Sequence, residues 1–392
     1  MREDYFNYYP TVQINFTEPF RSKLEIEYIE QVLDGGNSAG GGPHSSWCAA
    51  WLEKETGAKK AFLTSSATDA LEMAALLLNL EPGDEIIMPS FTFSSTANAF
   101  VLRGAVPVFV DVDSKTMNVN IEQLEPAITS KTKAILIVHY AGASCDMRFV
   151  QKLCNERGLF LIEDAAQAIL AKYDGQHLGT FGDLSCISFH ATKNVVSGEG
   201  GALLVNKTSL IDRAKVILEK GTNREKFLSG EVDKYSWVDI GSSYLMSEIA
   251  AAYLHSQLEN ADLITHSRIS YWNSYKALIQ NKMSGFAWEL QEYSSGVEHN
   301  AHIFYLILPD EDYKKKFISG MRNIEIRCAS HYVPLHSSDA GLRFGRSDSD
   351  LRVTDSYASR LVRLPMWSKE RMPIERIVDG VFEVSGNLEV SR

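Results

Sequence analysis

Short apolar runs alternate with amphipathic helical patterns along the chain from about Lys59. In ATDALEMAALLLNL, Ala70, Met73 and Leu77 share one helical face, and the turn that follows leads into another apolar run. The predicted strands are KKAFLT, DEIIMP, VPVFVDV, AILIVHY, LFLIED, LSCIS and GALLV, and the predicted helices lie in ATDALEMAALLLNL, STANAFVLRG, IEQLEPAI and MRFVQKLCNERG. Strands that alternate with helices in this way predict an α/β fold whose mostly parallel sheet is covered on both faces.

The alternation weakens after about Gly221. A long helix is predicted through SEIAAAYLHSQLENADLI, and a smaller α/β unit is predicted beyond it. That unit would be built from strand-like AHIFYLILP, the helix EDYKKKFISGMR, strand-like IRCASHYVPLH and LVRLPM, and a final helix near IERIVDGVFEV. We therefore expect a large domain over residues 1–255, with the N-terminal segment included, and a small C-terminal domain over residues 256–392.

Composition narrows the class of protein. The 392 residues carry a formal net charge of −11, which argues against nucleic-acid or membrane-surface binding because such surfaces are basic. The start MREDYFNYYPTVQINF lacks the apolar core of a signal peptide, and no later run is long enough to span a bilayer, so we expect a cytoplasmic protein. The five cysteines form no CxxC pair and the histidines show no ligand spacing, so neither a disulfide framework nor a metal site is predicted.

Chemistry is expected where strands end, because ligands of open α/β sheets bind at the carboxyl ends of the strands. Asp164 follows LFLI, where a buried carboxylate needs a cation or strong donors, and Gln167 comes about one helical turn later. A helix cap is the alternative role for Asp164. Lys193 comes five residues after Ser188, beyond the strand LSCISF, where a desolvated amine would have a lowered pKa and form a Schiff base. Taken alone, a lysine in a loop is more often solvated, and only the neighbouring motifs favour the reactive role.

Two further stretches fit the same crevice. Ser65-Ser66-Ala67-Thr68 lies where a strand gives way to a helix, so its backbone amides would suit a phosphate, although a plain helix cap reads the same way. Phe93 follows the second strand and would stack on a flat ligand or pack in the core. The glycines of SGEGG match no nucleotide-binding motif. An anion cradle, a stacking ring, a carboxylate with a nearby amide, and a lysine together suit pyridoxal phosphate.

With these motifs assembled, the chain resembles the DegT/DnrJ/EryC1/StrS family of sugar aminotransferases. The resemblance runs from about Phe16 to the last helix. Its motifs are ALEMAALLLNLEPGDEIIMPSFTFSSTANAFVLRGA, HYAGASCDM, IEDAAQAI, SFHATKN with GEGGA, EKGTNREKF, VDKYSWVDIGSSYL and HYVPLH. It implies the aspartate aminotransferase architecture, fold type I, with pyridoxal 5'-phosphate as cofactor and a homodimer whose active site lies at the subunit interface.

The resemblance also implies a role for each matching residue. Lys193 would bind the cofactor covalently and shuttle protons, and Asp164 would pair with the pyridine nitrogen. Gln167 would contact the phenolic oxygen, Phe93 would stack on the ring, and Ser188 with the amides of Ala67 and Thr68 would hold the phosphate. Where relatives supply a phosphate-binding asparagine from the partner subunit in a GYNYR-like stretch, this chain has Ser243 in GSSYL.

The implied reaction moves the amino group of L-glutamate to C4 of a dTDP-4-keto-6-deoxy-hexose, with a galacto product. Lys193 favours transamination over dehydration, because dehydrating relatives carry histidine there. His190, in FHATK, favours C4 over C3, although a packed strand-end histidine is the alternative. Lys220 and Arg224 are candidates for the diphosphate, or a solvated helix end, and His336 is a candidate for the sugar. A 3-ketosugar aminotransferase, a sugar dehydratase and a non-catalytic sugar-nucleotide or cofactor-binding regulator are the alternatives.

Overall fold

A seven-stranded central sheet organises the protein in the computed structural model, which describes residues 14–390. The first 13 residues, on which the expectation about a signal peptide rests, lie outside the described range. The strands are β1 (Lys60–Thr64), β2 (Glu85–Pro89), β3 (Val106–Val110), β4 (Thr132–Val138), β5 (Phe160–Asp164), β6 (Lys172–Tyr173), β7 (Gln176–His177), β8 (Leu184–Ser188), β9 (Gly201–Val205), β10 (Glu289–Leu290), β11 (Val297–Glu298), β12 (Phe304–Ile307) and β13 (Leu361–Leu364). The α-helices are α1 (Leu24–Asp34), α2 (Pro43–Thr56), α3 (Ala67–Leu77), α4 (Ser94–Val101), α5 (Met147–Arg157), α6 (Ile211–Leu218), α7 (Arg224–Leu228), α8 (Glu248–Leu258), α9 (Ala261–Lys282), α10 (Glu311–Asn323), α11 (Asp339–Phe344), α12 (Arg352–Arg360) and α13 (Ile374–Val390).

The central sheet has the order β1-β9-β8-β5-β4-β2-β3. Strands β3, β2, β4, β5 and β8 pair in parallel, and β9 is antiparallel to both β8 and β1. Strand β1 therefore runs in the same direction as β8. The carboxyl ends of six strands and the start of β9 consequently meet at one edge, as the predicted mostly parallel sheet requires.

Both faces of this sheet are buried, which explains why its strands read as continuous apolar runs rather than as alternating ones. In β4, Ile135 and Ile137 pack in one apolar cluster, whereas Ala134 and Leu136 pack in the cluster on the opposite face. Helix α2 contributes Leu52 to the first cluster, while α3 and α4 cover the second. The result is a three-layer α/β arrangement, confirming the predicted fold class.

A second, smaller sheet follows the long helix α9. Its three antiparallel strands have the order β10-β12-β13, and a separate apolar core is formed by this sheet with α9, α10 and α13. Ile14 joins that core through a bridge with Ile326. The three remaining strands form a small sheet of order β11-β6-β7. The predicted domain boundary between residues 255 and 256 stays a prediction.

Three predicted elements are wrong. IEQLEPAI forms only a 3₁₀ turn over Ile121–Gln123. The long predicted helix is divided into α8 and α9 at Glu259–Asn260, where the Asn260 side chain donates to the carbonyl of Ser256 at 2.8 Å. IRCASHYVPLH contains no regular strand, because its backbone pairs only in isolated bridges at Ile326 and Ala329.

None of the helices between residues 14 and 390 combines the length and the apolar character of a membrane-spanning segment. The five cysteines, Cys48, Cys145, Cys154, Cys186 and Cys328, are all buried and free of disulfides.

Candidate active site

The chemically distinctive residues lie at the edge where the strands end. Asp164 and Ser188 are the last residues of β5 and β8, and Ser90 directly follows β2. Gly201 begins the antiparallel strand β9 and pairs with both Ser188 and Thr64, the last residue of β1. The topology thus brings together segments that are widely separated in the sequence.

Asp164 is a buried carboxylate, 6% exposed, without a cationic partner among the described residues. Its Oδ2 accepts a hydrogen bond from Thr96 Oγ1 at 2.7 Å, and its Oδ1 accepts from the amide of Ala166 at 3.2 Å. The thiol of Cys186 lies 3.4 Å from Oδ1, and burial next to this carboxylate raises the pKa of that thiol. No helix follows β5 directly, so Asp164 does not act as the helix cap considered as its alternative role.

Gln167 is held in place at both ends of its amide group. Its Oε1 accepts from the amide of Ala141 at 2.8 Å, and its Nε2 donates to Tyr332 Oη at 2.9 Å. Burial raises the pKa of the Tyr332 phenol, so this hydroxyl is neutral. The amide of Gln167 therefore links the end of β5 to the segment around Tyr332.

Lys193 lies on the connection between β8 and β9 and is partly buried. Burial of its amine lowers the lysine pKa to about 8; Asp164 opposes this effect and the guanidinium of Arg363 adds to it. No hydrogen bond or ion pair holds the amine within residues 14–390. Its neighbour Asn194 is tied down: the side chain donates to the carbonyl of Asn300 at 2.9 Å. Lys193 thus presents an amine that is more readily deprotonated than that of an exposed lysine, on a backbone fixed by its neighbour.

The start of α3 provides free backbone donors. Ser66 caps this helix by accepting from the amide of Asp69, whereas the amides of Ala67 and Thr68 have no acceptor in the described part of the chain. Gly201 lies directly against them: a Cβ there would be 2.5 Å from the carbonyl carbon of Ser66. Ser188, opposite Gly201 in the sheet, is 6% exposed. This arrangement suits an anion, because helix N-terminal amides carry partial positive charge.

Phe93 precedes α4 with its ring 58% exposed, 6.3 Å from the ring of Tyr332. Its alternative role as a core residue is therefore wrong. The exposed ring is available for a flat ligand, and its stacking role stays a prediction.

The residues predicted to contact the substrate lie on separate parts of the chain, and none of them is fully buried. His336 Nδ1 lies 2.7 Å from Ser90 Oγ, which places it at the carboxyl end of β2. His190 lies 2.8 Å from Thr192 Oγ1 and is half-exposed. Lys220 and Arg224 are both exposed and both pair with Glu219, at 3.5 and 2.8 Å.

Ser243 is exposed and forms a backbone bridge with Glu219. The segment after it runs alongside the anion cradle of the same chain, where Leu245 pairs with Thr64 and the carbonyl of Tyr244 accepts from the amide of Ser65 at 2.9 Å. Its contact with a partner subunit's cofactor stays a prediction.

Sequence reasoning missed Thr96 and Tyr332, although both belong to quoted motifs. Thr96 is fully buried and reaches Asp164 from α4, and Tyr332 reaches Gln167 from a segment 165 residues further along. A polar residue at a buried helix position was the available signal for Thr96. Nothing in the sequence around Tyr332 indicated that its hydroxyl would contact Gln167.

The site fits pyridoxal phosphate on three observations. A buried carboxylate without a cation matches a protonated pyridine nitrogen, an unpaired amine with a lowered pKa matches the aldehyde, and two free amides beside Ser188 match the phosphate. Without a ligand, the carboxylate is a buried charge with no cation, which is unfavourable, and the amine and the two amides have no partner among the described residues.

Comparison with known proteins agrees with this geometry. Residues 20–382 match the DegT/DnrJ/EryC1/StrS aminotransferase family. The GDP-perosamine synthase of Vibrio cholerae is 29% identical over 353 residues, covering 89% of this chain and 93% of that protein. The GDP-perosamine synthase of Escherichia coli O157:H7 is 31% identical over 321 residues, covering 82% and 85%.

Among solved structures, Spr1654 from Streptococcus pneumoniae in its PLP form shares the fold, with a TM-score of 0.86 at 23% identity over 95% of this chain and 99% of that one. The cofactor is pyridoxal 5'-phosphate. This chain, with its lysine on the connection between β8 and β9 and its carboxylate at the end of β5, belongs to the DegT/DnrJ/EryC1/StrS aminotransferase family.

Proposed function

We propose that the protein transfers the amino group of L-glutamate to C4 of a dTDP-4-keto-6-deoxy-hexose, giving a dTDP-4-amino-4,6-dideoxy sugar of galacto configuration and 2-oxoglutarate. The observation that carries the proposal is the unpaired amine of Lys193, in the same site as the buried carboxylate of Asp164. Burial lowers the pKa of this amine to about 8. An intact lysine favours transamination over dehydration or a purely binding role.

The bound cofactor supplies an aldehyde for a primary amine and a ring that accepts the electron pair of the substrate carbon. Lys193 holds that aldehyde and, once free, accepts the proton from Cα of glutamate and returns one to sugar C4 from a single face. Asp164 keeps a proton on the ring nitrogen, Gln167 contacts the phenolic oxygen, and Phe93 covers the ring. Ser188 and the amides of Ala67 and Thr68 hold the phosphate.

The choice of sugar rests on sequence motifs. His190 in FHATK favours C4 chemistry, and the stretches HYAGASCDM, EKGTNREKF and HYVPLH resemble dTDP-4-amino-4,6-dideoxygalactose transaminases. His336, beside Ser90 at the carboxyl end of β2, is our candidate for the sugar, and Lys220 and Arg224 for the diphosphate. The names of the two GDP-perosamine synthases support a second candidate substrate, a GDP-linked 4-keto-6-deoxy-hexose.

We further propose a homodimer in which Ser243 of one subunit contacts the cofactor phosphate of the other. The support is the exposed apolar stretch next to it, where Trp237 is 81% and Val238 55% exposed. Apolar surface of this kind on the segment leading to Ser243 is typical of an interface. The aminated sugar nucleotide would serve a glycosyltransferase of cell-surface polysaccharide synthesis.

The test is to incubate the holoenzyme with L-glutamate and either dTDP-4-keto-6-deoxy-D-glucose or a GDP-linked 4-keto-6-deoxy-hexose, and to analyse products by mass spectrometry and NMR. We expect a C4 axial amine from the dTDP substrate. An amine at C3, loss of a hydroxyl, or turnover of the GDP substrate alone would each replace the proposed reaction by the corresponding alternative.

Lys193→Ala should lose both the absorbance of the covalently held cofactor and transamination. Lys282→Ala is the matched control, because that exposed lysine pairs with Asp379 far from the site. Unaltered turnover in Lys193→Ala would refute the assignment of the lysine.

A further inference from the structure

Asn300 lies between β11 and β12 and is fully buried. Its side-chain amide donates to the carbonyl of Gln167 at 2.9 Å and to that of Ile169 at 2.8 Å, and its Oδ1 accepts from the amide of His302 at 3.1 Å. Both N–H donors and the oxygen of this side chain are therefore used, so its orientation is fixed. The segment that carries Gln167 is held by a residue 133 positions further along the chain.

The main chain of the same residue holds the segment that carries Lys193. The carbonyl of Asn300 accepts from Asn194 Nδ2 at 2.9 Å, and Asn194 Oδ1 lies 2.9 Å from His302 Nδ1. Burial lowers the pKa of His302, so its ring is neutral and donates from Nδ1 to this oxygen. Asn194, Asn300 and His302 thus form a closed ring of hydrogen bonds that begins at the residue next to Lys193.

The Asn300 side chain packs against the turn that also holds the side chain of Gln167. The amide of Ala141 donates to Gln167 Oε1 at 2.8 Å, and Gly142 follows it with a φ of +73°. A Cβ at Gly142 would overlap Asn300 Oδ1, so only glycine fits beside this side chain. The side chain of Gln167 is therefore fixed by the turn, and its main chain by Asn300.

Ala301, the next residue, has a left-handed backbone with a φ of +50°, which residues other than glycine rarely adopt. Its amide donates to His299 Nδ1 at 3.1 Å, and its carbonyl accepts from the Nε of the buried Arg268 at 3.1 Å. Strained backbone persists only where surrounding contacts require it, and it is concentrated at functional sites. The strain indicates that the segment is held for the position of its side chains rather than by local backbone preference.

We propose that Asn300 is a positioning residue that sets where the amine of Lys193 lies relative to the amide of Gln167. The inference rests on the proposed function, since it concerns the placement of two residues of that site. Asn300 acts through its neighbours, because its own side-chain groups are already engaged. Its loss would release both segments, so the amine would meet the aldehyde of pyridoxal phosphate in the correct geometry less often.

The test compares Asn300→Ala and Asn194→Ala in the full-length protein with the control Asn206→Ala. Asn206 follows β9 at the other edge of the central sheet, and it also donates to two carbonyls, those of Gly179 and Gly182, at 3.0 and 2.8 Å. Stopped-flow absorbance measures covalent capture of pyridoxal phosphate after removal of the cofactor, at a pH where the amine is neutral. Titration measures the affinity for pyridoxamine phosphate, which has no aldehyde and cannot react with lysine. Urea unfolding measures stability.

We expect Asn194→Ala to slow capture roughly 10- to 100-fold with pyridoxamine phosphate affinity within about threefold of the native value, because it releases only the lysine segment. Asn300→Ala should slow capture by a similar factor and also weaken pyridoxamine phosphate binding roughly 3- to 10-fold, because it releases Gln167 as well. The double variant should be no more than about threefold slower than Asn300→Ala, because both substitutions remove the same link. Asn206→Ala should lower the urea midpoint and change neither quantity.

Capture at the native rate in Asn300→Ala would overturn the proposal. An equal loss of capture in Asn206→Ala would also overturn it, because lost stability rather than position would then be responsible. If Asn300→Ala fails to fold, Asn194→Ala decides the question through the same two measurements. Should the native enzyme aminate no ketosugar, these results still decide the role of Asn300, because no sugar enters them.

Discussion

Replacement of Gly201 by alanine should damage the cofactor site without touching a polar side chain. The added Cβ would lie 2.5 Å from the carbonyl carbon and 2.6 Å from the carbonyl oxygen of Ser66, and closer still to the amide nitrogen of Ala67. These neighbours are backbone atoms at the start of α3, so they cannot rotate away. The clash is relieved only if the helix start and β9 separate, which shifts the amides proposed to bind the phosphate.

The size of the effect follows from the two consequences of that shift. Forcing a methyl group into a packed site costs about 1–3 kcal/mol, which should appear as a loss of unfolding free energy in the cofactor-free protein. Misplacing one hydrogen bond to a charged phosphate costs about 1.5 kcal/mol, which corresponds to roughly tenfold weaker pyridoxal phosphate binding.

The assays are urea unfolding of the cofactor-free protein and absorbance titration with pyridoxal phosphate. Gly386→Ala is the matched control: this glycine is within α13, has no atom within 4 Å of the added Cβ, and should gain about 0.5–1 kcal/mol. Native stability combined with cofactor affinity within twofold of the native value for Gly201→Ala would refute the close approach of β9 to α3.

Two further predictions concern buried cations. Only a neutral amine attacks an aldehyde, so capture of pyridoxal phosphate by the cofactor-free protein should accelerate with rising pH and level off above about 8, the value to which burial lowers the pKa of Lys193. Asp164→Asn removes a charge that raises this pKa, so the midpoint of the pH profile of the capture rate, measured by stopped flow, should move to lower pH. A midpoint above about pH 10 in the native protein would contradict the lowered pKa of Lys193. Arg268→Met leaves the buried carbonyls of Ala301, His302 and Met366 without this donor and should reduce the unfolding free energy in urea by about 2–4 kcal/mol. Arg360→Gln, the control, removes a more exposed guanidinium that pairs with Glu289 and should change the unfolding free energy little. An equal loss in both variants would show that the burial of the Arg268 guanidinium does not determine its contribution to stability.

The strands of the central sheet were predictable because burial on both faces leaves continuous apolar runs in the sequence. Asp164 and Lys193 were predictable for a related reason: a charged residue that ends such a run, or follows it within a few residues, lies near the carboxyl edge of the sheet, where ligands bind. Both inferences use local sequence, and the topology then places the segments side by side.

The failures have two causes: missing strand neighbours from distant segments, and a local side-chain hydrogen bond. IRCASHYVPLH has the apolar spacing of a strand because Ile326 and Cys328 face the small core, yet it lacks neighbours for continuous pairing. The break between α8 and α9 is stabilised by the side chain of Asn260, a residue that helices tolerate elsewhere. Tyr332 reaches Gln167 from far along the chain, so no local pattern marks it.

The antiparallel direction of β9 determines how the reactive lysine is mounted. Because β9 returns beside β8, the connection that carries Lys193 is clamped at both ends, with the amide of Phe189 donating to Gly200 at 2.8 Å and that of Ala191 donating to Gly198 at 2.8 Å. A parallel β9 would begin at the opposite edge of the sheet, so the connection could not pair with itself beside the end of β8. We therefore expect this connection to tolerate neither insertion nor deletion as the protein diverges. Its length should vary less among related sequences than the identities of its residues, because the length determines the position of the amine.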